Sequence, residues 1–231
     1  MLNRLAVFVL AILVWLAVYC LLADRPLTAL LFLTEKPGIA HFITQPSSNE
    51  VSTDEDAYYR EKISFKGKTA NVIGVRRHDS GLKQDSDISL LKIRFGDSGF
   101  EARLPDEYSR AEKSWLTDLD HDGNLEIAVT VRSEGSGGYA SLLLFEITGS
   151  SVHEYRVPEE LPQEVRQAYM GHDLFEIDHG SVGQEGFIER KFPMYLPGEP
   201  NCCPSGGTGI RRYAFRDKRI VAHHGERSDG A

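Results

Sequence analysis

Apolar and polar residues alternate along much of the chain after residue 57. Leu91, Ile93 and Phe95 lie on one side of such an alternation, and Lys92 and Arg94 lie on the other. A period of two is typical of a β-strand because successive side chains point to opposite faces of a sheet. The segment is therefore predicted to be a strand with one buried face.

Further strands are predicted from the same kind of pattern. A second half-buried strand is predicted over 125–132, where Glu126, Thr130 and Arg132 lie opposite the apolar side. The segment 141–147 is apolar on both sides, which predicts a central strand covered on both faces. Short segments bounded by Gly, Pro, Asp and Ser predict additional strands at 62–65, 71–75, 100–104, 174–177, 187–192 and 210–215.

The predicted fold is all-β, an antiparallel β-sandwich or barrel-like domain, because many short strands and frequent turns are typical of these architectures. One soluble helix is predicted over 159–170, where Leu161, Val165 and Ala168 follow helical spacing. A single helix does not change the fold class.

An N-terminal hydrophobic helix is predicted to precede this domain. The segment 5–23 has no charged residue and is long enough to cross a membrane. It is longer than the apolar region of a typical cleavable signal peptide, so an uncleaved anchor is favoured over a signal peptide. Export of the remainder predicts a periplasmic protein tethered to the inner membrane by residues 5–23.

The predicted organisation has four parts. Residues 1–25 form the signal anchor or signal peptide, and 26–57 form a membrane-proximal tether with a linker rich in Ser, Asn, Asp and Glu. Residues 58–222 form the β-rich domain, and 223–231 form a polar tail. The sequence leaves open whether the domain forms a homodimer.

The charge of the chain bears on its partners. The formal net charge is −8, and Lys and Arg are scattered, which argues against nucleic acid and favours a cationic macromolecule. Outside the membrane segment the only cysteines are the adjacent Cys202 and Cys203. Because a bridge between neighbours is strained, a vicinal disulfide, free thiols and intermolecular pairing all remain alternatives.

An acidic turn is the one candidate metal site. Oxygen-bearing side chains alternate around Gly123, as they do in loops that bind calcium; they are Asp118, Asp120, Asp122, Asn124 and Glu126. An EF-hand would need Glu where Val129 stands, and a propeller of acidic-turn repeats would need several copies. The alternative is a turn whose carboxylates cap backbone amides. No cofactor is required, and calcium is the one candidate.

A glycine-rich loop follows the next predicted strand. The segment 133–139 reads Ser-Glu-Gly-Ser-Gly-Gly-Tyr and is predicted to be a hairpin tip. Its glycines, Gly135, Gly137 and Gly138, permit positive φ and close approach of another backbone. Ser136 and Tyr139 supply hydroxyl groups for a partner. The alternative is a plain connection between two strands.

The order of strand, acidic turn, strand, Ser-Gly-Gly-Tyr loop and apolar strand over 118–147 resembles the periplasmic inhibitors of invertebrate-type lysozyme. A second stretch, 190–213, with Arg-Lys-Phe-Pro-Met-Tyr and Pro-Ser-Gly-Gly, is similar to that family's C-terminal portion. The resemblance implies that Ser136 and Tyr139 enter the cleft of a cationic lysozyme or other cell-wall hydrolase. Glu134 and the cysteine pair depart from the family pattern.

No enzymatic activity is predicted. Ser136 lacks the G-x-S-x-G context of a nucleophile elbow. The histidines show no spacing typical of a zinc site; they include His172, His179, His223 and His224. The alternative to an inhibitor is a calcium-stabilised structural or binding module of the cell envelope.

Overall fold

The computed structural model describes residues 38–39, 57–79, 86–105, 108–149, 151–181 and 184–223. The predicted membrane segment and the linker lie outside these residues, as does all of the polar tail except His223. Among the residues that the structure describes, no helix has the length and apolar character needed to span a membrane.

The described chain is all-β, as predicted, and its strands form three antiparallel sheets. The N-terminal sheet contains, in order, β2 (Ala57–Phe65), β3 (Lys68–Asp79), β4 (Ser86–Phe95) and β5 (Ser98–Arg103). The central sheet contains β1 (Gly38–Ile39), β6 (Ser109–Thr117), β7 (Leu125–Ser133), β8 (Ala140–Thr148) and β9 (Ser151–Arg156). Their order across the sheet is β1-β9-β8-β7-β6. The C-terminal sheet contains, in order, β10 (Leu174–Asp178), β11 (Phe187–Pro193), β12 (Thr208–Arg216) and β13 (Arg219–Ala222).

The first hydrophobic core lies between the N-terminal sheet and one face of the central sheet. Its buried side chains include Val72, Leu91, Ile93 and Phe100 from the N-terminal sheet and Ile127, Val129, Leu143 and Phe145 from the central sheet. The rings of Phe100 and Phe145 lie 5.3 Å apart across this interface. Removing these apolar surfaces from water holds the two sheets together.

The second core covers the opposite face of the central sheet. It joins Ala128, Leu142, Leu144 and Tyr155 of the central sheet to Phe175, Ile188, Tyr213 and Phe215 of the C-terminal sheet. Tyr155 and Phe215 meet edge to face at 4.9 Å. The central sheet is therefore packed between two others, in a sandwich of three layers.

This third layer explains where the strand predictions succeed and fail. The segment 141–147 lies in β8 and is covered on both faces, as predicted, apart from its two half-buried end residues. The half-buried strand predicted over 125–132 is wrong, because β7 has Glu126 and Thr130 buried on its second face. The C-terminal sheet lies on that side of β7. The sequence of β7 alone does not reveal this cover.

The helix predicted over 159–170 is wrong in length. Only α1 (Gln163–Arg166) is helical, and it has no buried residue. Pro162 precedes it, and proline disfavours helical conformation in the residue before it. Beyond α1, Tyr169 pairs with Met194 in an isolated β-bridge, which ends any continuation of the helix.

Candidate functional site

The glycine-rich loop connects β7 to β8 as a hairpin tip, as the sequence predicts. Ser133 donates its backbone amide to the Tyr139 carbonyl oxygen at 2.8 Å, and Gly138 donates to the Gly135 carbonyl oxygen at 2.9 Å. Gly138 has a φ of 50°, in the left-handed region that favours glycine. The tip is therefore a closed turn with its own hydrogen bonds.

The glycines of the loop are not equivalent. A Cβ atom at Gly137 would lie 2.3 Å from Cε2 of Tyr139, and a Cβ atom at the neighbouring Gly171 would lie 2.1 Å from the Gly137 carbonyl oxygen. Gly171 also has a φ of 95°. At Gly135 the nearest atom would be 3.7 Å away, so a side chain would fit there. Close packing thus depends on Gly137 against the Tyr139 ring and on Gly171 against the Gly137 backbone.

Three other segments hold the carbonyl oxygens of the loop. Arg132 donates from Nη1 to the Gly138 oxygen at 2.5 Å. His172 donates its backbone amide to the Gly137 oxygen at 2.9 Å, and Asn201 donates from Nδ2 to the Ser136 oxygen at 2.9 Å. Three successive carbonyl groups are therefore fixed from outside the loop.

A buried ion pair lies beneath this support. Arg190 and Asp173 are both buried, and Arg190 Nε lies 2.7 Å from Asp173 Oδ1. The Tyr169 hydroxyl donates to Asp173 Oδ2 at 2.6 Å, and Arg190 Nη2 donates to the Tyr169 oxygen at 2.9 Å. Burial and the adjacent Asp173 raise the pKa of Tyr169 well above its usual value, so the phenol stays protonated.

The predicted contact residues lie on the surface. Ser136 is exposed, and Tyr139 is 50% exposed with its ring 5.7 Å from that of Tyr169. Tyr108 is 62% exposed, and its carbonyl oxygen accepts from the Glu134 amide. The loop tip therefore presents one hydroxyl side chain and one half-exposed aromatic side chain to solvent.

The charge of Glu134 beside the loop has a partner. Arg76 Nη2 lies 3.2 Å from Glu134 Oε1, and both side chains are partly exposed. They line a groove together with Tyr58, Asp87, Arg110, Ala111 and Glu112. The pairing reduces the negative field that Glu134 would otherwise add at the tip.

Two exposed cysteines lie next to a residue that supports the loop. Cys202 and Cys203 are free thiols in this structure, and they follow Asn201. The Asn201 carbonyl oxygen accepts from the Tyr195 hydroxyl at 2.9 Å. The residue that contacts Ser136 is therefore fixed on its backbone side as well.

The acidic turn lies at the opposite end of the β7–β8 pair. Carboxylate oxygens of Asp118, Asp120 and Asp122 lie within 4.8 Å of one another. A second group with the same spacing joins Asp122 to Glu126 and Glu146. Asp122 belongs to both groups.

Backbone amides occupy several oxygens of the turn. Asp118 Oδ1 accepts from the Gly123 amide at 3.3 Å, and Asp122 Oδ1 accepts from the Asn124 amide at 2.8 Å. The Asn124 side chain donates from Nδ2 to Asp122 Oδ2 at 2.9 Å. Asn124, one of the predicted metal ligands, is therefore hydrogen-bonded to a carboxylate.

Lysine side chains approach the cluster from two sides. Lys218 Nζ lies 2.7 Å from Asp122 Oδ2 and 3.9 Å from Asp120 Oδ2, and it also contacts Glu146. Lys66 Nζ lies 3.2 Å from Asp118 Oδ2. Burial raises the pKa of Asp120 above its usual value.

No family model matches the chain, and no curated protein or solved structure matches it.

Sequence reasoning missed the partners that tertiary structure brings to both regions. These are Asp173 and Arg190 below the loop and Glu146 and Lys218 at the acidic turn. Arg190 carried a usable signal, because it lies on the buried side of β11 between Ile188 and Phe192. A charged residue at such a position implies a buried partner.

Proposed function

We propose that this chain is a non-enzymatic binding protein of the periplasm whose loop 133–139 enters the cleft of a cationic lysozyme or other cell-wall hydrolase. One observation carries the proposal: the loop exposes Ser136 and Tyr139 while its carbonyl oxygens are held by Arg132, His172 and Asn201. Anchoring through residues 5–23 is part of the same proposal.

The physical advantage of such a loop is its order before binding. A loop that is already fixed loses less conformational entropy when it meets a partner, so more of the contact energy appears as affinity. Here the fixed oxygens belong to Ser136, Gly137 and Gly138, at the tip itself. This support favours binding over a role as a plain strand connection.

The chemistry of the exposed groups suits an acidic cleft. Glycoside hydrolases carry a pair of carboxyl groups at the scissile bond, and hydroxyl groups can donate to these without burying another charge. Tyr139 adds an aromatic ring of the kind enriched among residues that dominate interface energies. Because Arg76 pairs with Glu134, the nearest carboxylate in the loop repels such a cleft less.

Inhibition assays test this function directly. The full chain, purified in a non-ionic detergent, is added to invertebrate, chicken and goose lysozymes, with detergent alone as the blank. We expect inhibition of at least one type, and loss of inhibition in the double variant Ser136→Ala with Tyr139→Ala. Tyr108→Ala is the matched control, because Tyr108 is an exposed tyrosine just outside the loop.

Two outcomes would contradict the proposal. The first is an absence of inhibition of every lysozyme type at micromolar protein. The second is equal loss of inhibition in the Tyr108→Ala control, which would indicate non-specific aromatic contact. Mass analysis of the mature N-terminus tests separately whether residues 5–23 remain as an anchor.

A further inference from the structure

We propose that Asp122, Glu126 and Glu146 form a calcium site at the end of the β7–β8 pair, and that the Lys218 ammonium group competes with the ion for it. The inference does not rest on the function of the loop. It differs from the site predicted from sequence because Glu146 takes the place of Asp118, Asp120 and Asn124 beside Asp122 and Glu126, and because Lys218, in the turn between β12 and β13, takes part.

Two buried glutamates lie side by side on neighbouring strands of the central sheet. Glu126 on β7 pairs in register with Glu146 on β8, and their exposures are 0% and 1%. Like charges directly opposite each other on neighbouring strands repel, and burial of a carboxylate without compensation is costly. The pair therefore needs a positive charge or a proton.

The hydrogen bonds of the described residues do not satisfy Glu126. Its Oε2 accepts from the Leu119 amide at 2.7 Å, but its buried Oε1 has no hydrogen-bond partner. Glu146, by contrast, accepts from the Tyr155 hydroxyl at 3.1 Å and contacts Lys218. A buried carboxylate oxygen without a partner, beside two other carboxylates, indicates a missing ligand.

The spacing and chemistry of the oxygens suit calcium. Oxygens of Asp122, Glu126 and Glu146 lie within 4.8 Å of one another, so they can share one ion bound at about 2.3–2.6 Å. All three donors are carboxylates, the hard oxygen ligands that calcium prefers. Magnesium requires nearly ideal octahedral geometry and gives up its water reluctantly, so it suits this irregular set less well.

Lys218 can leave the cluster without disturbing a core. It lies in the turn between β12 and β13, where it and Asp217 have φ values of 58° and 49°. Its side chain is 46% exposed, so the ammonium group can move into water. The lysine and a calcium ion would then be alternative partners for Asp122 and Glu146.

Thermal unfolding with calcium chloride tests the site. The full chain in detergent is melted in millimolar calcium chloride, in magnesium chloride and in chelator, since an ion that binds only the folded state raises its melting temperature. We expect calcium to raise it more than magnesium does. In Lys218→Gln, half-saturation should need about tenfold less calcium, since a competing charge is gone. Lys191→Gln is the matched control, because Lys191 also pairs with two carboxylates, Glu176 and Glu189.

Ligand variants decide whether the ion binds here. Glu146→Gln should abolish the calcium response, and circular dichroism checks that this buried variant folds. Asp122→Asn is the alternative if it does not, because Asp122 is exposed and tolerates substitution better. Identical melts of the wild type and of Lys218→Gln with and without calcium would overturn the site. So would an equal response to magnesium, or a calcium response that survives in the folded ligand variant.

Discussion

The two ends of the β7–β8 pair differ in how their buried carboxylates are compensated. Near the loop, Asp173 is matched by the buried Arg190 and by the Tyr169 hydroxyl. At the acidic turn, the half-exposed Lys218 contacts Glu146 but not the neighbouring Glu126. Both carboxylate oxygens of Asp173 have partners, whereas Glu126 retains an oxygen that no described group satisfies.

This difference indicates different roles. A fully satisfied buried network fixes one geometry, which is what a preformed binding loop needs. An incompletely satisfied cluster is stabilised by any cation or proton that enters it, so its charge state depends on the solution. Burial and neighbouring carboxylates raise the pKa of Glu126 to about 8, consistent with a carboxyl that lacks a positive partner.

The largest effect on stability is expected from removing the buried Arg190–Asp173 ion pair. Arg190→Met leaves the Asp173 carboxylate buried without its cation, and we expect the free energy of unfolding to fall by about 3–5 kcal/mol. Urea unfolding followed by circular dichroism measures the change. Arg156→Met is the control, because Arg156 pairs with Glu154 in an exposed position where a salt bridge contributes at most about 1 kcal/mol. Equal losses in the two variants would contradict the comparison.

A smaller effect is expected where the loop meets its support. Gly171→Ala places a methyl group against the Gly137 carbonyl at positive φ, and we expect a loss of about 1–3 kcal/mol together with weaker lysozyme inhibition. Gly135→Ala should leave the free energy of unfolding nearly unchanged, because the added atom has space within the fold. Urea unfolding and inhibition assays on both variants measure the contrast. If the Gly171→Ala protein inhibits lysozyme as strongly as the wild type, inhibition does not depend on the order of the loop.

The smallest effect concerns acid sensitivity at the acidic end. His179 Nδ1 forms a hydrogen bond with the Thr117 hydroxyl at 3.0 Å, and the imidazole ring stacks on the ring of Phe65. Burial lowers the pKa of His179. The unfolded chain therefore binds a proton at higher pH than the folded chain does. Stability should fall as the pH decreases through the unfolded-state pKa of about 6.5 toward the lower folded-state pKa.

The His179→Gln variant isolates this contribution. Melting temperatures of the wild type and the variant are compared between pH 7.5 and pH 5.5, roughly one unit on either side of the unfolded-state pKa. The wild type should lose more stability over this range. If the variant has the same pH dependence as the wild type, His179 does not contribute to the acid sensitivity of the fold.

Local sequence patterns could predict most of the strands but not their second covering layer. The alternation over 125–132 placed β7 correctly, yet it could not reveal that Glu126 is buried, because coverage depends on a distant sheet. β6 was missed because a bulge between Ala111 and Lys113 breaks its alternation. β9 was missed because it is short and has only two buried residues, Val152 and Tyr155, which are too few to give a clear alternation.

The candidate sites show the same limit. Linear spacing identified the acidic turn and the glycine-rich loop, since each lies within one continuous segment. Glu146 became visible only through its register with Glu126, and Lys218 is separated from Asp122 by 96 positions in the chain. Partners brought together by sheet packing leave no local pattern.

The length of β7 also sets a limit on communication within the molecule. From Glu126 to Ser133 the strand advances seven positions, or about 23 Å at roughly 3.3 Å per residue. An ion at one extremity is therefore too distant to contact the glycine-rich loop at the other. The β7–β8 ladder thus separates the acidic turn from the glycine-rich loop, so a substitution in one is expected to leave the local geometry of the other unchanged.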